Sequence, residues 1–298
     1  MSTRFDITKL SPGFGAEVRG LDPTAKLDAE GVRDLRALFD EHAILVFRDL
    51  ELDRPYQQYL AELVYGTDPA ELDDEHLAKN AEQQGTFYIS NKIEGAAAPY
   101  GVLLYHADSM WSDYPFHVIS LWGEDVEPPV PPTYFASTIH ATRTLPADLR
   151  ARLEGLEAVH VPGPESFKHR KLDDTGGTLV MPRRDKEYSV VRPVLSRHPR
   201  TGAEFVYASQ QMTSHFVGME PEASEALLQE LFAHLYAPEN TLQHEWRQHD
   251  LVMWDNLASQ HARPEVERQA SVRTLRKVGW PLPPDPSVQN ILEYEAIN

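Results

Sequence analysis

Residues 102–122 read VLLYHADSMWSDYPFHVISLW. Two apolar runs of strand length, 102–105 and 116–122, flank a polar stretch that carries His106 and Asp108. Similar runs recur in both directions along the chain. Upstream lie 87–90, the continuous apolar run AILVF at 43–47, and 14–18 behind a Pro12-Gly13 turn signal. The 43–47 run fits a strand buried on both faces. Downstream, 190–195 and 205–208 flank an HPRTG turn at 198–202, and 251–254 and 272–278 follow. Helical spacing is rarer. Asp28 is placed to cap a helix over about 28–42 with Val32, Leu35, Leu38 and Phe39 as its apolar stripe. A second helix follows Leu145, with Pro146 in its first turn. A third, over about 221–236, has a core face of Leu227, Leu228, Leu231, Phe232 and Leu235. Strands do not alternate with helices. The pattern predicts a mainly β fold, an antiparallel sandwich or barrel with helical decoration.

The stretches between these elements differ in character. Residues 66–84 are acidic and polar and read as an exposed loop or short helix. Pro128, Pro129, Pro131 and Pro132 break regular structure. Residues 162–188 carry Gly, Pro and charge without periodicity, which suits an active-site flap.

The 298 residues include 28 Lys and Arg against 46 Asp and Glu, a formal net charge of −18. So acidic a surface repels phosphate backbones and anionic lipids, which argues against nucleic-acid and membrane partners. It leaves room for a small basic pocket. The absence of cysteine rules out disulfides, thiolate zinc sites, Cys-ligated iron–sulfur clusters and cysteine nucleophiles. Any metal must be held by His and carboxylates, ligands that suit Fe(II), Mn or Zn. The opening MSTRFDITKL lacks the apolar core of a signal peptide, and no apolar run is long enough to span a bilayer. The expected location is cytoplasmic.

On a strand, residues i and i+2 share a face, so His106 and Asp108 can offer an imidazole and a carboxylate to one ion. His261, from a distant strand, completes a set of three. Two His and one carboxylate on one face leave open positions, the pattern of non-haem Fe(II) oxygenases. Chance alone predicts about two His-x-acid tripeptides from 13 His and 46 acidic residues in 298 positions, and one occurs. The tripeptide alone is therefore compatible with an ordinary hydrogen-bonded pair.

The wider arrangement is more specific. GFGAEVRGLDP at 13–23 and HAILVFRDL at 42–50 are followed by YHADSMWSDYPFHVISLW at 105–122 and TYFASTIHATRTLP at 133–146. Then come SRHPRTGAEFVYAS at 196–209, HEWRQHDLVMWDNLASQHAR at 244–263 and VRTLRKVGW at 272–280. This ordered series resembles the TauD/TfdA family of Fe(II)- and 2-oxoglutarate-dependent dioxygenases over most of the chain.

The resemblance implies a single domain over 1–298 built on a double-stranded β-helix, a jelly-roll of the cupin-like kind. A long insertion falls at about 140–188 and a helical one at about 220–237. It implies His106, Asp108 and His261 as catalytic iron ligands, with Fe(II), 2-oxoglutarate and O2 as the cofactor set. It also implies Thr133 and Arg273 as contacts of the 2-oxoglutarate carboxylate, a group that a planar guanidinium suits. Arg276 is the rival anchor. Period-2 geometry puts 273 and 277 on one face and turns 276 away. Lys277, Tyr105, Trp111 and Asn91 are the candidate substrate contacts. The remaining motif residues, Trp254, Asp255 and Asn256, read as support for the strand that bears His261.

The implied reaction is oxidation, foremost hydroxylation, of a small anionic molecule with release of succinate and CO2. The same iron site supports desaturation, epoxidation or C–heteroatom cleavage, and a cupin-like metal-binding protein with a non-oxidative role is the reading from another class. Asp108 favours hydroxylation over halogenation, because related halogenases lack this carboxylate. The partner expected is a small-molecule substrate, and the resemblance leaves a homo-oligomer, dimer or tetramer, open. Two segments depart from the family. A PPVPPT run at 128–133 replaces the usual glycine-containing turn before the Thr, and 66–104 match poorly.

Overall fold

Residues Ile44–Phe47 are buried one after another, and the neighbours of each explain why. Leu45 and Phe47 pack into one apolar cluster. Ile44 and Val46 pack into another. A strand shows alternate residues to opposite faces, so this one is sandwiched between two layers. The computed structural model describes residues 4–84, 87–162, 179–182, 188–284 and 294–297.

In chain order the strands and longer helices are β1 (Asp6–Lys9), β2 (Ala16–Arg19), α1 (Ala29–His42), β3 (Ile44–Phe47), α2 (Arg54–Tyr65), α3 (Asp74–Gln84), β4 (Phe87–Ser90) and β5 (Gly101–His106). Next come β6 (Val118–Val126), β7 (Thr133–Ser137), α4 (Thr138–Arg143), α5 (Ala147–Leu153), β8 (Glu157–His160), β9 (Leu179–Pro182), β10 (Val190–Pro193) and β11 (Leu195–Arg197). The last are β12 (Glu204–Val206), β13 (Thr213–Phe216), α6 (Pro221–Leu235), β14 (Thr241–His244), β15 (Leu251–Asp255), β16 (Ser259–Val266), β17 (Arg273–Trp280) and β18 (Tyr294–Ile297).

Two sheets dominate. The larger has the order β1-β2-β3-β15-β6-β17-β4, and the other β14-β7-β16-β5-β9-β18. Most pairings are antiparallel; β2 with β3 and β5 with β9 are parallel. Ile119, Leu121, Val252, Trp254 and Leu275 from the larger sheet meet Phe135 from the smaller in one buried cluster. On the other face, Val118, Leu251 and Met253 pack with Leu35, Phe39, Tyr59, Leu60 and Leu63 of α1 and α2. Deleting one such buried Leu costs about 2–5 kcal/mol. A satellite core gathers α4, α5 and α6 over Val194, Val206 and Phe216. The chain therefore forms a jelly-roll sandwich with helices on its outside, as the strand-rich pattern predicts. Among the described residues no helix is long and apolar enough to cross a membrane.

Asp28 does cap α1, its carboxylate accepting from Gly31 N–H. The strand after α1 starts one residue late, because Ala43 takes the left-handed conformation that ends the helix. The acidic 66–84 segment is chiefly helical: α3 buries Leu77 and Ala81, and Leu72 is buried just before it. Charge there hides a short apolar face. Helix α2 goes unforeseen, although Asp53 caps it and Pro55 sits in its first turn. The 190–195 run is two strands in different sheets, β10 beside β8 and β11 beside β12. Most of the 162–188 segment expected as a flap lies outside the described residues.

Candidate active site

β5 and β16 are adjacent antiparallel strands of the smaller sheet, with His261 opposite His106. The register alone brings the two imidazoles together; their ring centroids are 4.2 Å apart. Asp108 arrives by a different route from the one expected. β5 ends at His106, and Asp108 sits in the turn beyond it, so strand alternation is not what aims its carboxylate. The turn is fixed by Asn256, whose Oδ1 accepts from Asp108 N–H at 3.0 Å and whose Nδ2 donates to Asp108 O at 3.0 Å. Asp108 Oδ1 then lies 3.7 Å from His106 Nε2. One ligand atom from each of His106, Asp108 and His261 falls within 4.8 Å of the others.

Protonation suits a cation. His106 Nδ1 is 2.7 Å from the carbonyl of Leu104. A carbonyl only accepts, so Nδ1 carries the proton and Nε2 presents its lone pair. Burial pushes both imidazoles toward the neutral form, His261 well below its ordinary pKa. Burial alone would raise the Asp108 pKa, but the Lys277 ammonium beside it holds the carboxyl below the usual carboxylate range. Two neutral imidazoles and an ionised carboxylate form a donor set that suits Fe(II), Mn or Zn. Among the described residues this is the cluster whose ligand atoms converge. The residues fit a metal, then, on their own chemistry.

β17 of the facing sheet supplies the cations. Lys277 Nζ is 2.7 Å from Asp108 Oδ2 and stands over the rings of Phe87 and Phe116. Arg273 Nη2 donates to Thr133 Oγ1 at 3.1 Å, and Nε donates to Pro131 O at 3.2 Å. Thr133 is the first residue of β7 despite the proline-rich run before it. Burial, reinforced by nearby Arg263, lowers the Arg273 pKa, yet no carboxylate pairs with it among the described residues. Arg276 turns the other way. It donates to Gln57 Oε1 and Leu52 O, reaches Glu124 at 3.3 Å, and stacks on Trp122.

The other sequence candidates are placed elsewhere. Tyr105 precedes His106 on a strand and so points to the opposite face; its ring stacks on Tyr236 at 4.0 Å. Trp111 is fully buried in a cluster with Met110, Phe205 and Tyr207. Asn91 accepts from Arg273 N–H and donates to Ser271 O, fixing the start of β17. Sequence reasoning did not single out Trp246, whose indole N–H donates to Thr133 Oγ1 at 2.9 Å. Nor did it give Asn256 its grip on Asp108. Both lie in the HEWRQHDLVMWDN run, and spacing gives no sign of which strand either would reach.

A β-sandwich holding two His and a carboxylate in one place has the arrangement of the non-haem metal oxygenases. The chain matches the model of the Taurine catabolism dioxygenase TauD, TfdA family over residues 6–278, and it belongs to that family. It is 30% identical to a pentalenolactone F synthase of Streptomyces avermitilis, over 93% of this chain and 94% of that one. It is 31% identical to an (S)-phenoxypropionate/alpha-ketoglutarate-dioxygenase of Sphingobium herbicidovorans, over 88% and 90%. Among solved structures, AAD-2 in complex with Mn(II) and N-oxalylglycine shares the fold, with a TM-score of 0.71 at 24% identity, covering 92% of this chain and 96% of that one.

Proposed function

We propose that the protein is an Fe(II)- and 2-oxoglutarate-dependent dioxygenase that hydroxylates a small anionic molecule, releasing succinate and CO2. His106, Asp108 and His261 would hold the metal. Fe(II) bound there would supply activation of O2 coupled to decarboxylation of 2-oxoglutarate. The observation that carries the reading is the pairing of that donor set with a buried guanidinium, Arg273, that has no carboxylate partner among the described residues. A buried cation without a counter-ion is costly, and a ligand carboxylate relieves the cost. Arg273 and Thr133 together are suited to the distal carboxylate of 2-oxoglutarate.

Lys277 bears on the substrate. Its ammonium pairs with the outer oxygen of Asp108 and is flanked by Phe87 and Phe116. It orients the Asp108 carboxylate and supplies a positive field beside apolar faces, an environment that suits an anion with an apolar body. The Sphingobium relative is named for a substrate of that kind, a phenoxy carboxylate.

The test is succinate release from Fe(II), O2 and 2-oxoglutarate across a panel of small carboxylates and sulfates, with products weighed by mass spectrometry. Hydroxylation requires a product heavier by one oxygen atom and equimolar succinate. Turnover with no oxygen gained would replace hydroxylation by desaturation. Unchanged succinate release from His106→Ala would remove the metal assignment.

A further inference from the structure

The HPRTG turn at 198–202 joins β11 to β12, a two-stranded sheet that belongs to neither layer of the sandwich. Gly202 N–H donates to His198 O and His198 N–H to Ala203 O, both at 2.8 Å, so the turn closes on itself. Its tip is nevertheless buried: His198 is 2% exposed. His198 Nδ1 accepts from the backbone N–H groups of Arg200 at 3.3 Å and Thr201 at 3.2 Å. A ring nitrogen that accepts carries no proton, so the proton sits on Nε2. Nε2 lies 3.1 Å from Oδ1 and 3.0 Å from Oδ2 of the buried Asp255. Arg200 pairs with the same carboxylate and with Asp40 of α1, and its guanidinium lies over the ring of Phe39.

Asp255 ends β15 and opens the turn that leads into β16 and His261. Its Oδ1 accepts from Leu257 and Ala258 N–H, each at 3.0 Å. Burial alone would raise the pKa of this carboxyl, but the His198 and Arg200 donors hold it below the usual carboxylate range. The carboxylate therefore closes the turn at 255–258. Asn256 rides on that turn, buried, with Nδ2 also donating to Phe116 O at 2.8 Å. This is the side chain that grips Asp108 at both its N–H and its carbonyl. Three turns thus stand in series: the 198–201 tip, 255–258, and the one that carries Asp108.

We propose that His198 is a positioning residue for the metal: its Nε2–H fixes the Asp255 carboxylate, which holds the 255–258 turn, which aims the Asn256 amide at Asp108. The metal set is that of the reading above. His198 acts on it from a separate sheet, through two intervening side chains, while Arg200 braces the same carboxylate against α1.

The experiment is calorimetric titration of Mn(II) into the apo protein. His198→Asn puts an amide oxygen where Nδ1 stands, so the tip keeps its acceptor, and removes the donor to Asp255. It should weaken Mn(II) about tenfold, within the range that loss of an outer partner of a metal ligand costs. His198→Gln returns an N–H near the Nε2 position and should bring affinity back to within about threefold of wild type. In an Asn256→Ser background, His198→Asn should cost less than about twofold, because the side chain it acts through is gone. Leu153→Ala separates this effect from general destabilisation. It opens a cavity in the satellite core, and should lower the urea midpoint and leave Mn(II) affinity unchanged. Wild-type affinity in His198→Asn, no recovery in His198→Gln, full additivity with Asn256→Ser, or an equal loss in Leu153→Ala overturns the proposal. A wild type that binds no Mn(II) overturns the metal reading itself, and the proposal with it. Should His198→Asn not fold, the reciprocity of coupled sites provides a test on the wild type. Zn(II) loading should slow hydrogen exchange at Leu257 and Ala258 N–H by about tenfold, the same factor read from the other side. Unchanged exchange at both contradicts the proposal.

Discussion

Arg273 and Arg276 stand three residues apart on one strand, are both buried, and do opposite things. Arg276 is saturated by Gln57, Leu52 O, Glu124 and the face of Trp122. Burial lowers its pKa, but Glu124 opposes the shift. Arg273 is 3% exposed, and its neighbours are a carbonyl, a hydroxyl and another arginine. Guanidinium stays charged in proteins, so Arg276 completes its own neutralisation inside the fold while Arg273 leaves a positive charge unanswered. A buried cation with a counter-ion is part of the architecture. A buried cation without one carries a charge that a bound anion would answer.

The contrast breaks most visibly at Arg273. Arg273→Met should weaken 2-oxoglutarate at least 100-fold by calorimetry on the Mn(II)-loaded protein. The apo protein should unfold in urea no earlier than wild type, because an uncompensated charge has been removed. Arg276→Met should do the reverse. It leaves Gln57 Oε1 buried without its donor and Glu124 without its cation, held only by Tyr88 O–H among the described residues, costing about 2 kcal/mol in urea unfolding. Its 2-oxoglutarate affinity should change less than about threefold.

Histidines sharpen the same contrast with a smaller effect. His106, buried, and His261, half-buried, stand beside a carboxylate. His160 is buried against Thr213 and Tyr207, and burial, then the Arg192 charge, push its pKa down to about 3. The folded chain keeps this imidazole neutral, whereas the unfolded chain protonates it near 6.5. Protons therefore favour the unfolded state as pH falls from about 6.5 toward 3. Stability is present above that window and lost through it. Between pH 7 and 5 the wild type should lose about 2 kcal/mol more than His160→Asn, read from urea midpoints at the two pH values. Equal losses would show that His160 titrates freely in the fold.

The strand-rich architecture was legible because buried strands such as Ile44–Phe47, and β15 over 251–254, are continuous apolar runs. α2 was not, and α3 was legible only as one of two readings, exposed loop or short helix, since the apolar faces there are interrupted by Gln57, Gln58, Glu62 and Asn80, polar side chains that are buried all the same. In the site, the likeness to a known family selected His106, Asp108 and His261 for comparison, and the β5–β16 register explains how two of them meet. Alternation along β17 separated Arg273 from Arg276, because that rule needs only sequence position. It misled at Asp108, where a turn held by Asn256 replaces the strand. It also had no means of placing Trp246 against Thr133, a contact between residues 113 positions apart.

The most direct measurement is an anaerobic absorption titration of the Fe(II)-loaded protein with 2-oxoglutarate. A weak visible charge-transfer band should grow in the wild type and in Arg276→Met at similar ligand concentrations, and fail to saturate in Arg273→Met. No band in the wild type, or equal saturation in all three, would contradict the account.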